Sequence, residues 1–215
     1  MRRLTKLGKP DILEREEARW LSEYQADPGN ATKKYRYRHR DIKDQLRVET
    51  GQKCVYCESK IGHNTPGDIE HKVPSSKVPH RHFDWENLTI ACAECNRRKN
   101  DYYAEGDAFI DPYSDDVEAA LIHRGPMVQW QLGNRRGEIA VHTLELNSAK
   151  RVLLILQKIE RLNALAHLLE RHNGEGDPML KQVLLYQLRA ATERTAEYSA
   201  MTSAYLQASG IAVGA

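Results

Sequence analysis

The 215-residue sequence has no long hydrophobic run. Its longest uninterrupted apolar stretch, Val152 to Leu156, is five residues, against the roughly 18 that a membrane-spanning helix needs. The basic start Met1-Arg2-Arg3-Leu4-Thr5-Lys6 is not followed by an apolar core, so no signal peptide is expected and the chain reads as a cytoplasmic protein with no membrane contact. There is no excess of one charge: 32 Lys and Arg face 30 Asp and Glu, a net charge of +2. That balance excludes a molecule-wide field for a polyanion, so any nucleic-acid contact has to be a local patch. Residues 1–50 hold 13 basic against 9 acidic side chains, and residues 111–150 hold 4 against 6. Internal repeats and low-complexity tracts are also missing, as is an unpaired cysteine. The four cysteines form two pairs, Cys54-x-x-Cys57 and Cys92-x-x-Cys95, and in a reducing compartment they are not expected to form disulfides.

What is present is enough for a core. Apolar residues are 40% and charged residues 29% of the chain, with a mean hydropathy of −0.67, and the length lies between one and two domains. Three regions follow from the pattern. Residues 1–50 predict a basic helical segment, a candidate docking surface for a partner or nucleic acid. Its first helix opens at Pro10-Asp11 and carries Leu13, Trp20, Leu21 and Tyr24. After the turn Asp27-Pro28-Gly29-Asn30, a second helix is expected from Thr32 to the stop at Gly51. Its apolar face is Tyr35, Ile42 and Leu46, and its cations Arg36, Arg40, Lys43 and Arg47 lie on another face. The string Tyr35-Arg36-Tyr37-Arg38 interleaves aromatics with cations, a pattern shared by nucleic-acid binders and ordinary solvated helices. Residues 51–110 are turn-rich and need a staple. Residues 111–215 predict a hairpin of strands Met127–Gln131 and Glu138–His142, then a capped helix with Val152, Ile155, Leu156, Ile159, Leu162, Leu165 and Leu169 on one face. The break Gly174-Glu175-Gly176-Asp177-Pro178 leads to a second helix with Val183, Leu184, Leu188 and Ala191, packed back on the first. Nothing in this last region suggests catalysis.

Two Cys-x-x-Cys knuckles 34 residues apart supply four thiolates for a closed tetrahedral Zn²⁺ site, which is structural because no coordination position stays open. A redox pair is the alternative, but no βαβ pattern surrounds either motif. Between the knuckles lies Asp68-Ile69-Glu70-His71. On a strand, Asp68 and Glu70 share one face and His71 takes the other, so carboxylates that can hold a divalent ion adjoin a base. Asn87 follows in Glu86-Asn87-Leu88-Thr89. The second knuckle then runs into Asn96-Arg97-Arg98-Lys99 on a helix expected to reach about Tyr103, with Asn96 and Lys99 on one face. His63, His80 and His82 are candidates for contact with metal or substrate and read first as surface-loop histidines, and His167 reads as a structural one.

From Cys54 to Lys99 the sequence resembles the HNH (ββα-metal) endonucleases, with the acid–His step at Glu70-His71, the central Asn87, and Asn96 in a Cys-Asn-x-x-Lys ending. Glu70 stands where most members have Asp. The resemblance implies an α+β fold: a zinc-stapled ββα-metal core over residues 51–110, flanked by N-terminal helices and a C-terminal helical hairpin. It also implies a one-metal phosphodiesterase. His71 is then the general base, and Glu70 and Asn96 hold one Mg²⁺ or Mn²⁺. Asn87 orients the His71 loop, and Asp68 stands behind the metal ligands. Arg97, Arg98 and Lys99 meet phosphates of the nucleic acid, DNA before RNA.

The wider layout is similar to the HNH component of Septu-type anti-phage defence systems, also found beside some retrons. The features are a short basic helical start, the zinc-stapled module, Asp111-Pro112, a hairpin, and a helical end opening at Leu146-Asn147. That resemblance implies control by an ABC-type ATPase partner; the docking surface stays open, with the N-terminal segment and the exposed face of the C-terminal hairpin as the first candidates. Two other readings of the residues remain: a zinc-ribbon module that binds nucleic acid or protein without chemistry, and a zinc-stapled scaffold whose helical tail recruits a protein.

Overall fold

A computed structural model describes residues 1–62, 66–104 and 108–212. Helix α1 (Asp11–Ala26) starts after Pro10 and buries Leu13, Trp20 and Tyr24, the stripe expected from their spacing. The second helix is split. Asn30 caps a short α2 (Ala31–Lys34) by accepting from the Lys33 amide, and the chain tightens into a 3₁₀ turn, Tyr35–Arg38. His39 then takes an extended ψ of 142° and caps α3 (Arg40–Glu49), its Nδ1 accepting from the Asp41 amide at 3.2 Å. Periodicity alone joins these pieces, because the break is made by a cap and by burial of Tyr37. The stop at Gly51 is as expected: its φ is +63°, and a Cβ there would lie 2.9 Å from the Thr195 backbone, a space only glycine leaves open.

The centre is a two-stranded antiparallel sheet. Strand β1 (Asp68–His71) pairs with β2 (Leu88–Ala91) in the register Asp68↔Ala91, Ile69↔Ile90, Glu70↔Thr89 and His71↔Leu88. Ile90 and Leu88 are fully buried from one strand and Ile69 nearly so from the other. Helix α4 (Ala93–Lys99) closes the ββα unit, its N-terminus capped by the Cys92 sulfur, which accepts from the Cys95 amide at 3.4 Å. The helix ends at Lys99, short of the expected Tyr103, because Asn100 turns the chain with a φ of +48°.

The next elements correct the sequence-based hairpin. After α5 (Val117–Ala120), strands β3 (Leu121–Arg124) and β4 (Met127–Trp130) pair around Gly125-Pro126, and residues 135–143 are a helix, α6 (Arg135–Thr143). Asn134 caps α6, accepting from the Gly137 amide at 2.8 Å. Gly137, Ala140, Val141 and Leu144 are buried at helical spacing, and a Cβ on Gly137 would lie 2.9 Å from the Ala120 carbonyl oxygen. A five-residue string such as Glu138–His142 alternates well enough for a strand, and its partner surface decides the outcome.

Helices α7 (Val152–Gly174) and α8 (Pro178–Ala190) form the expected hairpin, and α9 (Ser199–Ala208) adds Leu206 to the small core of Leu165, Leu169, Leu188 and Ala191. The apolar stripe expected on α7 is buried only toward its end: Leu165 and Leu169 are inside, while Val152, Leu156 and Ile159 are exposed, as is Val183 on α8, and near the start it is Leu154, outside that stripe, that is buried. A larger core joins α1, α3, the central sheet, the cysteines and β3–β4. Among the described residues no helix is long and apolar enough to cross a membrane.

Candidate active site

The four cysteines come together. Their sulfurs all lie within 4.8 Å of one another, and Cys57 and Cys92 are 3.8 Å apart. Tetrahedral Zn–S bonds of about 2.3 Å place sulfurs roughly 3.8 Å apart, so the cluster fits a zinc ion. All four are free thiols. Donors surround them as thiolates require: Arg151 donates to the Cys95 sulfur at 3.4 Å and the Ser59 hydroxyl lies 3.3 Å from the Cys57 sulfur. The cluster ties the 54–57 knuckle to the start of α4, and so fixes the helix that carries Asn96.

One face of β1 and α4 opens into a cleft of about 550 Å³, whose walls include Asp68, Glu70, His71, Asn96, Arg97 and Asp101. The Asn96 amide donates to the Asp68 carboxylate at 3.4 Å, which leaves its carbonyl oxygen as a further donor to a cation. Glu70 is nearly buried, and burial pushes its carboxyl pKa up. The Lys99 ammonium, 2.5 Å away, opposes that shift. Two carboxylates and an amide oxygen are the hard donor set that a Mg²⁺ or Mn²⁺ ion accepts.

His71 sits on the cleft wall with its Nε2 2.8 Å from the His82 carbonyl oxygen. A carbonyl only accepts, so Nε2 carries the proton and Nδ1 keeps a free lone pair. Burial pushes the His71 pKa down to about 4, which keeps the imidazole neutral near pH 7. Asn87, fully buried, clasps the loop after His71: its side chain accepts from the Val73 amide at 2.8 Å and donates to the Val73 and Arg81 carbonyls at 2.9 and 3.2 Å.

Several placements differ from expectation. Lys99 is buried, with its ammonium on Glu70 and on the His71 carbonyl, so it braces the cleft floor and does not reach a solvent phosphate. Arg98 is also drawn inward, pairing with Glu94 and Glu145. Arg97 stays exposed on the cleft wall, paired with Glu94. His82 is no surface histidine: it is 1% exposed, stacks on His71 at 4.9 Å and on Tyr24 at 4.2 Å, and donates to the Lys34 carbonyl at 2.7 Å. Tyr37 meets the His71 ring edge-on at 4.8 Å. Spacing from the motif could not find His82 or Tyr37, because the N-terminal helices bring them in. His80 is exposed, His167 lies on the open face of α7, and His63 falls outside the described residues.

Comparison with known proteins agrees with this geometry. Residues 54–102 match the HNH endonuclease family model. The chain is also similar to the Septu protein PtuB of Bacillus mycoides (strain KBAB4), with 25% identity over 182 residues, covering 66% of this chain and 62% of that protein. The chain thus spans about six-tenths of the length of this curated relative. The segment 54–102, with its zinc-fitting cysteine cluster, the paired strands β1 and β2 and helix α4, is thus the part of the chain that matches the HNH endonuclease family.

Proposed function

We propose that the chain is a metal-dependent endonuclease that hydrolyses phosphodiester bonds in nucleic acid, with DNA as the first substrate class. The observation that carries this reading is the pairing in one cleft of a neutral imidazole with a free lone pair and a carboxylate–amide donor set. His71 is the general base and takes a proton from water at Nδ1. Glu70 and Asn96 hold a single Mg²⁺ or Mn²⁺, with Asp68 orienting the Asn96 amide. When bound, the ion supplies charge stabilisation for the phosphate and the leaving oxygen. Asn87 keeps the His71 loop in register, and Arg97 meets the substrate backbone. Zn²⁺ on Cys54, Cys57, Cys92 and Cys95 is structural. By its likeness to a Septu protein the chain is read as a defence effector, with an ABC-type ATPase as controlling partner.

The metal assignment has a direct test. Asn96→Ala and Glu70→Gln should each raise the Mn²⁺ concentration for half-maximal cleavage by about tenfold or more, the range seen when groups around a metal are removed. An unchanged requirement in both variants overturns the assignment. A second reading, a zinc-stapled module that binds without cutting, draws support from Lys99, whose ammonium occupies one oxygen of Glu70. Under that reading added Mn²⁺ produces no cleavage at any concentration.

His82 supports the base by stacking and by its carbonyl. His82→Ala should cost about 2–4 kcal/mol of stability, on the scale of large-to-small core changes, and slow cleavage about tenfold through a looser imidazole. His82→Phe, which restores the stack, should recover most of the rate with KM unchanged. A His82→Ala enzyme that cuts at the parent rate removes His82 from the mechanism.

A further inference from the structure

The cleft floor is acidic, with Asp68, Glu70 and Asp101 in its lining, and a polyanion is repelled there unless cations flank it. Two of the three cations offered by the motif, Arg98 and Lys99, are consumed inside the fold. The charge has to come from another element, and the turn Tyr35–Arg38 lies beside the base. Tyr37 packs edge-on against His71, and the Arg38 guanidinium lies over the Tyr35 ring at 4.2 Å and near the Tyr37 ring at 5.7 Å. Lys43, half-buried one turn into α3, follows Arg38 on the next element; burial and the Arg47 and Arg38 charges hold its pKa below the usual lysine value, against the pull of Asp68 in the cleft.

Their neighbours are spoken for. Arg36 pairs with Glu23, and Arg40 and Arg47 with Asp44, whereas Arg38 and Lys43 close no ion pair with a carboxylate among the described residues. Arg38 is exposed while held by two aromatic rings, so little side-chain freedom remains to be lost when its two N–H donors meet the oxygens of a phosphate.

We propose that Arg38 and Lys43 are the phosphate contacts that seat a nucleic-acid strand on the His71 side of the cleft, opposite Arg97. The proposal rests on the nuclease reading above and names the surface that reading lacks. It gives a role to the Tyr-Arg-Tyr-Arg string: its tyrosines order the guanidinium and flank the base, and its second arginine meets the substrate.

The test is fluorescence anisotropy of a labelled DNA duplex and a labelled single strand on the full chain carrying His71→Ala, titrated at several salt concentrations. In that background, Arg38→Ala and Lys43→Ala should each flatten the slope of log affinity against log salt by about 0.7–0.9, the share of one released counterion. The double variant should bind about tenfold or more weakly at low salt. Arg38→Lys should restore the slope, and Arg40→Ala, whose side chain is engaged with Asp44, should leave it unchanged. A double variant that keeps the parent's affinity and slope overturns the assignment alone. A His71→Ala parent that binds neither probe in a salt-dependent way overturns the nuclease reading and this surface with it.

Discussion

Cys95→Ala should yield a protein without bound zinc, with a sharply lowered melting temperature and poor solubility. Cys95 is fully buried, and its sulfur is one of four within 4.8 Å. Removing one ligand from a closed tetrahedral site costs most of its metal affinity, and in structural zinc sites about 10–16 kcal/mol of apparent binding energy is folding energy. The ion ties the 54–57 knuckle, whose Val55 and Tyr56 sit in the main core, to the start of α4, a short helix whose cap is itself a ligand, Cys92. What remains after the ion leaves is a nest of buried sulfurs with the Arg151 guanidinium aimed at them. Metal analysis and thermal unfolding read the outcome together, and zinc content and a melting temperature equal to the parent's would contradict a four-thiolate site.

The second large effect is on chemistry. His71→Ala should keep zinc, secondary structure and melting temperature close to the parent's, and slow cleavage by about 10²–10⁴-fold, the usual contribution of a positioned general base. The fold tolerates the change because His71 lies at the end of β1 on the cleft wall, where the side chain's one hydrogen bond is to a carbonyl. The strand pairing of β1 and β2 is made by the backbone, in the register His71↔Leu88, and survives truncation. A collapse of stability in this variant would instead mark His71 as a core histidine, stacked on His82 and met edge-on by Tyr37.

Much of this was legible because the chemistry is written locally. The two knuckles, the Glu70-His71 step and the Asn96 position sit at short spacings, and the structure gathers them about one sheet and one helix. The stop at Gly51 and the break before Pro178 were readable for the same reason: each depends on a residue's own backbone preference. What was not legible depends on distant contacts. His82 is buried because Tyr24 and the Lys34 carbonyl come to it from the N-terminal helices, and no feature of its own loop announces them. Lys99 and Arg98 look like solvent-facing cations until Glu70 and Glu145 are placed beside them. The hairpin was misplaced because Glu138–His142 satisfies two periods, and the close approach of Gly137 to the Ala120 carbonyl is visible only in three dimensions.

The proposed chemistry is phosphodiester cleavage in this cleft with His71 as base. The most direct measurement is cleavage of supercoiled plasmid by the purified full chain with added Mg²⁺ or Mn²⁺, alone and with the ABC-type ATPase proposed as its partner, beside an equally folded His71→Ala protein. The parent protein should give nicked and linear plasmid, with none after chelation of the added ion and none with His71→Ala. Equal cutting by parent and variant, or no cutting by the parent under any of these conditions, would contradict that chemistry.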